Sequence, residues 1–425
     1  MASVSRRTVL KGAAALAAAT AFPRRASANE RIRVGIIGCR VRGPQVAASM
    51  IRSGQFDVPV ICDCDDAMVE KARADAKDVF AEKPPRSEKD FRRLLEDPDI
   101  DAVVVATPDH WHAMMTILAL DAGKHVYLEK PASFNIGDGK AMLAAHARRP
   151  ELAVQVGTQQ RSGRHFADAK AFIQAGGLGK VAFCRASHVS ERHIVPVIPN
   201  SEPPASLDYD LWCGPAPIHP YNEELLHYNW HFRYDYGTGD MGNWGAHWLD
   251  VLRWLLDLDL PVSVSGYGGQ YVVKDAKEFP DTQTVMYHFP ELTMLWELRH
   301  WSRFMPGGGR GNCCEIDGEK GSLVVDRRGW RFYPRDEDAP GEEHPGSEME
   351  VAHALSFAGA IRGERAPSAP LVEGHKSAIL CHLGNITARL NRSVAFDPAR
   401  ETITGDPEAE AMMDRAYRAP WVRGV

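Results

Sequence analysis

Arg31-Ile32-Arg33-Val34-Gly35-Ile36-Ile37-Gly38-Cys39-Arg40-Val41-Arg42-Gly43 decides the fold. Residues 34–37 show little alternation, the pattern of a strand covered on both faces in a parallel sheet. This strand runs into a turn bearing Gly38 and Gly43, and residues 44–53 follow in helical spacing. Strand, glycine turn and helix in that order make a dinucleotide-binding unit, because the glycines let a pyrophosphate approach the helix N-terminus. Arg40 replaces the middle glycine of G-x-G-x-x-G, so its side chain either crowds the phosphates or adds a charge beside them. A second strand, residues 58–62, ends at Asp63, 20 residues beyond Gly43, where an acid takes the ribose hydroxyls. An acid there favours NAD over NADP, since Asp63, Asp65 and Asp66 repel a 2′-phosphate.

Working outward, strand and helix keep alternating: a helix over 87–95, a strand over 102–106, then Thr107-Pro108-Asp109-His110-Trp111-His112, a helix over 112–122, and a strand over 125–128 ending in Glu129-Lys130-Pro131. Such alternation predicts a doubly wound parallel sheet, a Rossmann α/β domain over 29–150, with ligands at the carboxyl ends of its strands. Beyond residue 150 the pattern changes. Segments 181–189, 262–273, 284–289, 293–301 and 322–326 read as strands separated by turns, which predicts an α+β domain over 151–390 with an open, mostly antiparallel sheet, and a C-terminal extension over 391–425. Residues 191–220 hold seven prolines and read as an irregular loop. After it, residues 228–236 are dense in aromatics, and Trp230 and Tyr236 suit the apolar faces of a sugar. Gly237-Thr238-Gly239-Asp240-Met241-Gly242-Asn243 then enters an amphipathic helix ending near Leu256, with Asn243, His247 and Asp250 at i, i+4 and i+7 on one face.

Composition bounds the rest. The chain has 425 residues, 44% hydrophobic and 25% charged, which excludes disorder and is enough for two or three cores. Residues 1–28 carry Arg6, Arg7, Lys11, Arg24 and Arg25, no acid, and an apolar run over 12–22 too short to span a bilayer. Ser5-Arg6-Arg7-Thr8-Val9-Leu10-Lys11 reads as a twin-arginine export signal and Ala26-Ser27-Ala28 as its cleavage site, so a periplasmic or otherwise exported protein without a membrane span is expected. Without that leader 45 basic residues face 56 acidic ones and no basic stripe remains, which argues against nucleic acid as a partner. The eight cysteines lack disulfide-framework or zinc spacing. His110, His112, His188 and His193 show no diagnostic spacing with a further ligand, and no metal site is expected.

The turn 38–43, the segments Ala106-Thr107-Pro108-Asp109-His110-Trp111-His112 and Glu129-Lys130-Pro131, and Gly157-Thr158-Gln159-Gln160-Arg161 together resemble the Gfo/Idh/MocA oxidoreductases, the glucose-fructose oxidoreductase and inositol dehydrogenase family. The resemblance runs from about residue 31 to about residue 390. It implies NAD bound by Gly38, Cys39, Arg40, Gly43, Asp63, Thr107, Pro108, His110, His112, Glu129, Lys130 and Gln159. It implies a carbohydrate held by Lys130, Arg161, Trp230, Tyr236, Asn243 and His247, and a homodimer or homotetramer built on the open sheet. His247 matches the family's catalytic histidine, whereas Asn243 stands where an aspartate is usual. An amide cannot take a proton, so proton transfer falls to Lys130, His247 or Asp240.

Three functions fit these residues. One is a sugar or glycoside oxidoreductase with a tightly bound cofactor, transferring hydride at a secondary alcohol. A second is a redox-neutral glycosidase or lyase that oxidises its sugar transiently and eliminates. The third is a sugar-binding homologue without catalysis.

Overall fold

The computed structural model describes residues 31–304, 309 and 311–423; the expected leader lies outside them. Six strands, β1 (Ile32–Ile37), β2 (Phe56–Cys62), β3 (Arg86–Glu88), β4 (Ala102–Val105), β5 (His125–Leu128) and β6 (Val154–Val156), form a sheet in the order β3-β2-β1-β4-β5-β6. Every pairing is parallel, and β4 and β5 are buried at each residue, as their unbroken apolar runs demand. Strand order reverses between β1 and β4, which opens a crevice at their carboxyl ends.

Two local readings change. The helix expected over 87–95 divides into β3 and a shorter helix, Phe91–Glu96, because Asp90 caps that helix by accepting from the Arg92 N–H. The parallel sheet also passes the expected boundary at 150, since the three residues of β6 pair with β5.

Ten strands make the second sheet: β7 (Val181–Val189), β8 (Ser263–Gly269), β9 (Thr282–His288), β10 (Thr293–Arg299), β11 (Asn312–Gly318), β12 (Gly321–Asp326), β13 (Gly329–Pro334), β14 (Glu342–Pro345), β15 (Ser393–Asp397) and β16 (Thr402–Thr404). They lie in the order β14-β13-β12-β11-β7-β10-β9-β8-β15-β16, and among the described residues only β7 with β10 is parallel. Along β9 and β10 every second residue is buried and packs under the helices Ala246–Leu255 and Leu371–Leu390, while the alternate face carries exposed Met286 and, on β8, Tyr267. Residues 391–423 pack against the rest of the chain: β15 pairs with β8, and Trp421 packs edge-on against Trp111 of the first half.

Helix Ala246–Leu255 was expected to be amphipathic and is instead buried at all but Trp254, because it lies between the sheet and helix Leu371–Leu390. Its polar residue Asp250 is fully buried and accepts from Arg161 Nε at 2.8 Å, Arg161 Nη2 at 2.9 Å and Ser377 Oγ at 2.7 Å. Arg253, one turn on, donates to Ser377 and Glu373. One ion-pair cluster thus joins the turn after β6 to both core helices. Replacing Asp250 by Leu leaves the Arg161 guanidinium buried without its anion and is expected to cost about 3–5 kcal/mol, read from the denaturant midpoint, whereas adding Arg161→Met should recover part of that loss.

Candidate functional site

A cavity of about 340 Å³ lies in the crevice, lined by the turn 38–42, Asp63, Thr107, Pro108, Asp109, Glu129, Lys130 and Asn243. Gly38 has φ +99°, and a Cβ there would lie 2.3 Å from the Ala106 carbonyl oxygen. At Gly43 a Cβ would stand 1.9 Å from the Gly38 carbonyl oxygen, so this residue packs under the turn rather than facing the cavity. Both glycines are therefore fixed by the tightness of the turn. Cys39 N–H donates to Asp63 Oδ2 at 2.7 Å, which binds the glycine turn to the end of β2. The neighbouring helix Asp66–Asp75 is capped by Asp65, so Asp63 remains a cavity group.

Lys130 closes β5 and projects towards the motif of the second half. Its Nζ donates to Asn243 Oδ1 at 2.9 Å and to the Asn243 carbonyl oxygen at 3.1 Å. Burial pushes the Lys130 amine below its usual range, against the pull of Glu129 and Asp109, and Arg42 and Arg327 push it the same way. Glu129 faces Arg42, whose Nε donates to it at 2.7 Å, so Glu129 and Lys130 do not form an ion pair with each other. Asp109 accepts from Thr238 Oγ1 at 2.6 Å, a link from the end of β4 to the glycine motif, and burial raises its carboxyl. Asn243 sits in a single π-helical turn, Met241–Gly245, a feature frequent at functional sites.

The predicted site residues divide. Gly38, Cys39, Arg40, Asp63, Thr107, Pro108, Glu129, Lys130, Trp230 and Asn243 line the cavity. His110 lies beneath it, with Nδ1 3.1 Å from the Tyr236 carbonyl and Nε2 3.0 Å from the Trp212 carbonyl, and burial lowers its pKa to about 3. His112 spans two strand ends, 2.7 Å from the Pro131 carbonyl and 3.0 Å from the Thr107 carbonyl, so it fixes the turn that carries Lys130. Gln159 donates to Glu350, and Arg161 is the buried partner of Asp250; neither reaches the cavity. Tyr236 is core, its hydroxyl donating to the Pro217 carbonyl.

Asp240 lies behind Asn243 and accepts from its Nδ2 at 3.0 Å. Burial opposes its ionisation, but His300, 2.7 Å away, and Arg192, which binds both carboxylate oxygens, hold the carboxyl well below the usual range. His188, Asp240 and His300 bring ligand-type atoms within 4.8 Å of one another, a grouping invisible in the spacing of the chain. Arg192 already occupies both carboxylate oxygens, so the grouping reads as an ion-pair cluster. His247 is buried one helical step from Asn243; burial and then the cations Arg327, Lys130 and Arg42 push its pKa far down, so it is a neutral imidazole rather than a cation beside Lys130.

A second wall extends well beyond the predicted Trp230. The loop 191–236, which includes a short helix, Tyr209–Cys213, folds back on the first half. Asp65 and Leu207 form an antiparallel bridge, Asp66 N–H donates to the Ser206 carbonyl at 3.1 Å, and Asp208 N–H to the Cys64 carbonyl at 2.9 Å. His227 Nε2 lies 2.7 Å from Asp65 Oδ2, and the Arg40 guanidinium sits 5.1 Å from the centre of the Tyr228 ring. Leu211, Trp212, His227, Tyr228 and His231 thereby face Asp63 and the glycine turn across the cavity. The aromatic run 228–236 marks part of this wall in the sequence, but the pairing of loop to strand end that brings it over the cavity has no local signal.

The site suits a dinucleotide. The glycine turn opens the N-terminus of helix Arg42–Arg52, Asp63 stands at the end of β2, and the buried Thr107 Oγ1 has no partner among the described residues. Comparison with known proteins agrees. Residues 32–158 match the oxidoreductase family, NAD-binding Rossmann fold; residues 194–288 and 334–423 match the oxidoreductase family, C-terminal alpha/beta domain; residues 3–23 match a twin-arginine translocation pathway signal sequence. A levoglucosan dehydrogenase of Pseudarthrobacter phenanthrenivorans is 26% identical over 53% of this chain and 52% of its own length. An alpha-N-acetylgalactosaminidase of Shewanella oneidensis is 26% identical over 38% of this chain and 36% of its own. The chain spans about half the length of the first curated relatives it matches. In three dimensions, levoglucosan dehydrogenase in complex with NADH and levoglucosan superposes with a TM-score of 0.66 over 86% of this chain and 99% of that one, at 20% identity. With both halves matched in order and the glycine turn, Glu129-Lys130-Pro131 and Asn243 motifs gathered at one cavity, the chain belongs to the Gfo/Idh/MocA oxidoreductase family.

Proposed function

We propose that the mature chain is an exported oxidoreductase that oxidises a secondary alcohol of a sugar or glycoside and keeps its NAD bound between turnovers. One observation carries the chemistry: an amine, Lys130, is held by two acceptors at the floor of the cavity and is pushed by burial towards its neutral form. A bound nicotinamide supplies the hydride acceptor. The chain supplies the rest. Lys130 takes the hydroxyl proton as the C–H bond breaks, and Asn243 and Trp230 hold the sugar, while neutral His247, one turn beyond Asn243, lies buried and outside the cavity lining. Asp63, with Asp65 and Asp66 beyond it, supports NAD rather than NADP. Lys130→Met should therefore lower cofactor reduction by sugars, levoglucosan among them, at least ~100-fold while dinucleotide content is unchanged; near-normal turnover would remove Lys130 from the role.

Retention of the cofactor follows from place and geometry. Outside the cytoplasm free NAD is not expected, so an enzyme that released it each cycle would stall. The loop 191–236, tied to Asp65 and Asp66 by backbone hydrogen bonds, closes the ribose end of the cleft, and Arg40 over Tyr228 clasps the phosphate end. Arg40→Gly, which restores the usual glycine, should release bound dinucleotide faster than wild type in a fluorescence-followed dilution. Slower release, or tight binding in the variant alone, would refute the clasp.

A held cofactor leaves two ways to complete a cycle. Either a second sugar or keto compound accepts the electrons, or the first substrate takes them back after elimination. The likeness to an alpha-N-acetylgalactosaminidase supports keeping the second reading. Cleavage of an aryl α-N-acetylgalactosaminide without added NAD would select it, and reduction of a second sugar would select the first. The open face of the second sheet, with Met286 and Tyr267 exposed, supports a homo-oligomer. Export itself is tested by Arg6→Lys with Arg7→Lys, which should leave the protein in the cytoplasm in a fractionation experiment; unaltered export would contradict a periplasmic location reached by the twin-arginine route.

A further inference from the structure

We propose that Asp240 is a positioning residue that aims the Lys130 amine into the cavity by fixing which end of the Asn243 amide faces it. This rests on the reading of Lys130 as the proton acceptor. A neutral amine has two N–H groups and one lone pair. In the structure both donors have acceptors, Asn243 Oδ1 and the Asn243 carbonyl, so the lone pair points away from them, and Lys130 is itself a lining residue of the cavity. The carbonyl is set by the backbone, but Oδ1 is not. The two ends of an amide are nearly equal in shape, and a half-turn would present Nδ2 to the amine, donor against donor.

What prevents the half-turn is on the far side of Asn243. Asp240 Oδ1 accepts from Nδ2 at 3.0 Å, and an ionised carboxylate can only accept. It stays ionised because Arg192 binds both its oxygens and His300 lies 2.7 Å from Oδ2. Asp240 is fully buried and does not line the cavity, so it acts on Lys130 only through the amide. The chain of contacts runs Arg192 and His300, Asp240, Asn243, Lys130, and each link dictates the donor or acceptor sense of the next.

The test separates this from a structural role for Asp240. Asp240→Asn would strand Arg192 and His300 without an anion, so the informative change is Asp240→Glu, which keeps the charge and its cation partners but displaces the oxygen from the amide by a methylene. The readout is the pH midpoint for acetylation of Lys130 by acetic anhydride, followed by mass spectrometry on the full chain with dinucleotide bound. This readout needs no knowledge of the sugar. The other charges facing Lys130, from Glu129, Asp109, Arg42 and Arg327, and the His247 imidazole are the same in every variant.

With the amide free to turn, Lys130 loses an acceptor that favours its ammonium form, so Asp240→Glu should lower the midpoint by at least ~0.5 pH unit. In an Asn243→Ala background the same change should move it by less than ~0.2 unit. Equal shifts in both backgrounds, or none in the first, overturn the proposal. Lys130→Met tells the two levels apart: if it turns over sugar normally the reading of Lys130 falls, and if it is dead while the Asp240→Glu shift survives in Asn243→Ala, only the positioning role falls.

Discussion

The bond between Arg161 and Asp250 sets the geometry on which the cavity depends. Asp250 belongs to helix Ala246–Leu255, whose entry turn carries Asn243; Arg161 belongs to the turn that leaves the parallel sheet. With both oxygens of Asp250 bound by one guanidinium and Ser377 added, the helix cannot slide along or rotate against the sheet without leaving a charge unpaired in the core. A Lys130–Asn243 contact of 2.9 Å, made between groups 113 residues apart, needs such a fixed frame. The Asp109–Thr238 hydrogen bond sets a second point of the same frame, from the next strand end. The buried pair is thus explained by position more than by stability, since an apolar replacement of both partners would cost the fold less than the loss of either one.

How far the sequence could be read follows from the range of the interactions involved. β1, β2, β4 and β5 contain the apolar runs 34–37, 58–62, 102–105 and 126–128 with their turns attached, so both the strands and the residues at their ends were legible. β6 has three residues and β3 three, too few for any period to register. In the second half β7, β8, β9, β10 and β12 read as strands between turns, whereas β11, β13, β14, β15 and β16 did not, and the core helix Leu371–Leu390 has no single apolar face because it is buried between the two sheets. For the site, the chain told which residues stand at strand ends but not which way each turns. His110, His112, Gln159 and Arg161 all lie on the predicted turns, and each binds a partner in the scaffold, Gln159 through its amide nitrogen alone. Those partners are backbone carbonyls and distant carboxylates, which no local pattern reveals.

Two departures from the family pattern, Arg40 and Asn243, share a physical explanation. Each is matched by a neighbour that the usual residue would not need. Arg40 lies over Tyr228, brought to it by a loop that hydrogen-bonds to Cys64, Asp65 and Asp66. Asn243 is bound by Asp240, which is itself held ionised by Arg192 and His300. A glycine at position 40 would leave the Tyr228 ring facing no cation, and an aspartate at 243 would set two carboxylates about 3 Å apart in a buried place, where one would have to take up a proton. Neither residue reads as decay of the site, because decay would leave the partners unused.

The charges around the cavity follow one arrangement. Arg42 and Lys130 line the cavity and Arg327 acts on Lys130 from outside the lining, three basic groups balanced by Glu129, Asp109 and Glu350. Arg42 takes Glu129 and Glu350 for itself, with Nε on one and the Nη atoms on the other. That leaves Lys130 with neutral acceptors at hydrogen-bond distance and carboxylates only further off. A guanidinium keeps its proton under any such burial, whereas an amine gives its proton up. Placing the arginine on the carboxylates and the lysine on an amide therefore concentrates the cost of burying positive charge on the group able to become neutral, and that group lines the cavity between the glycine turn and Asn243.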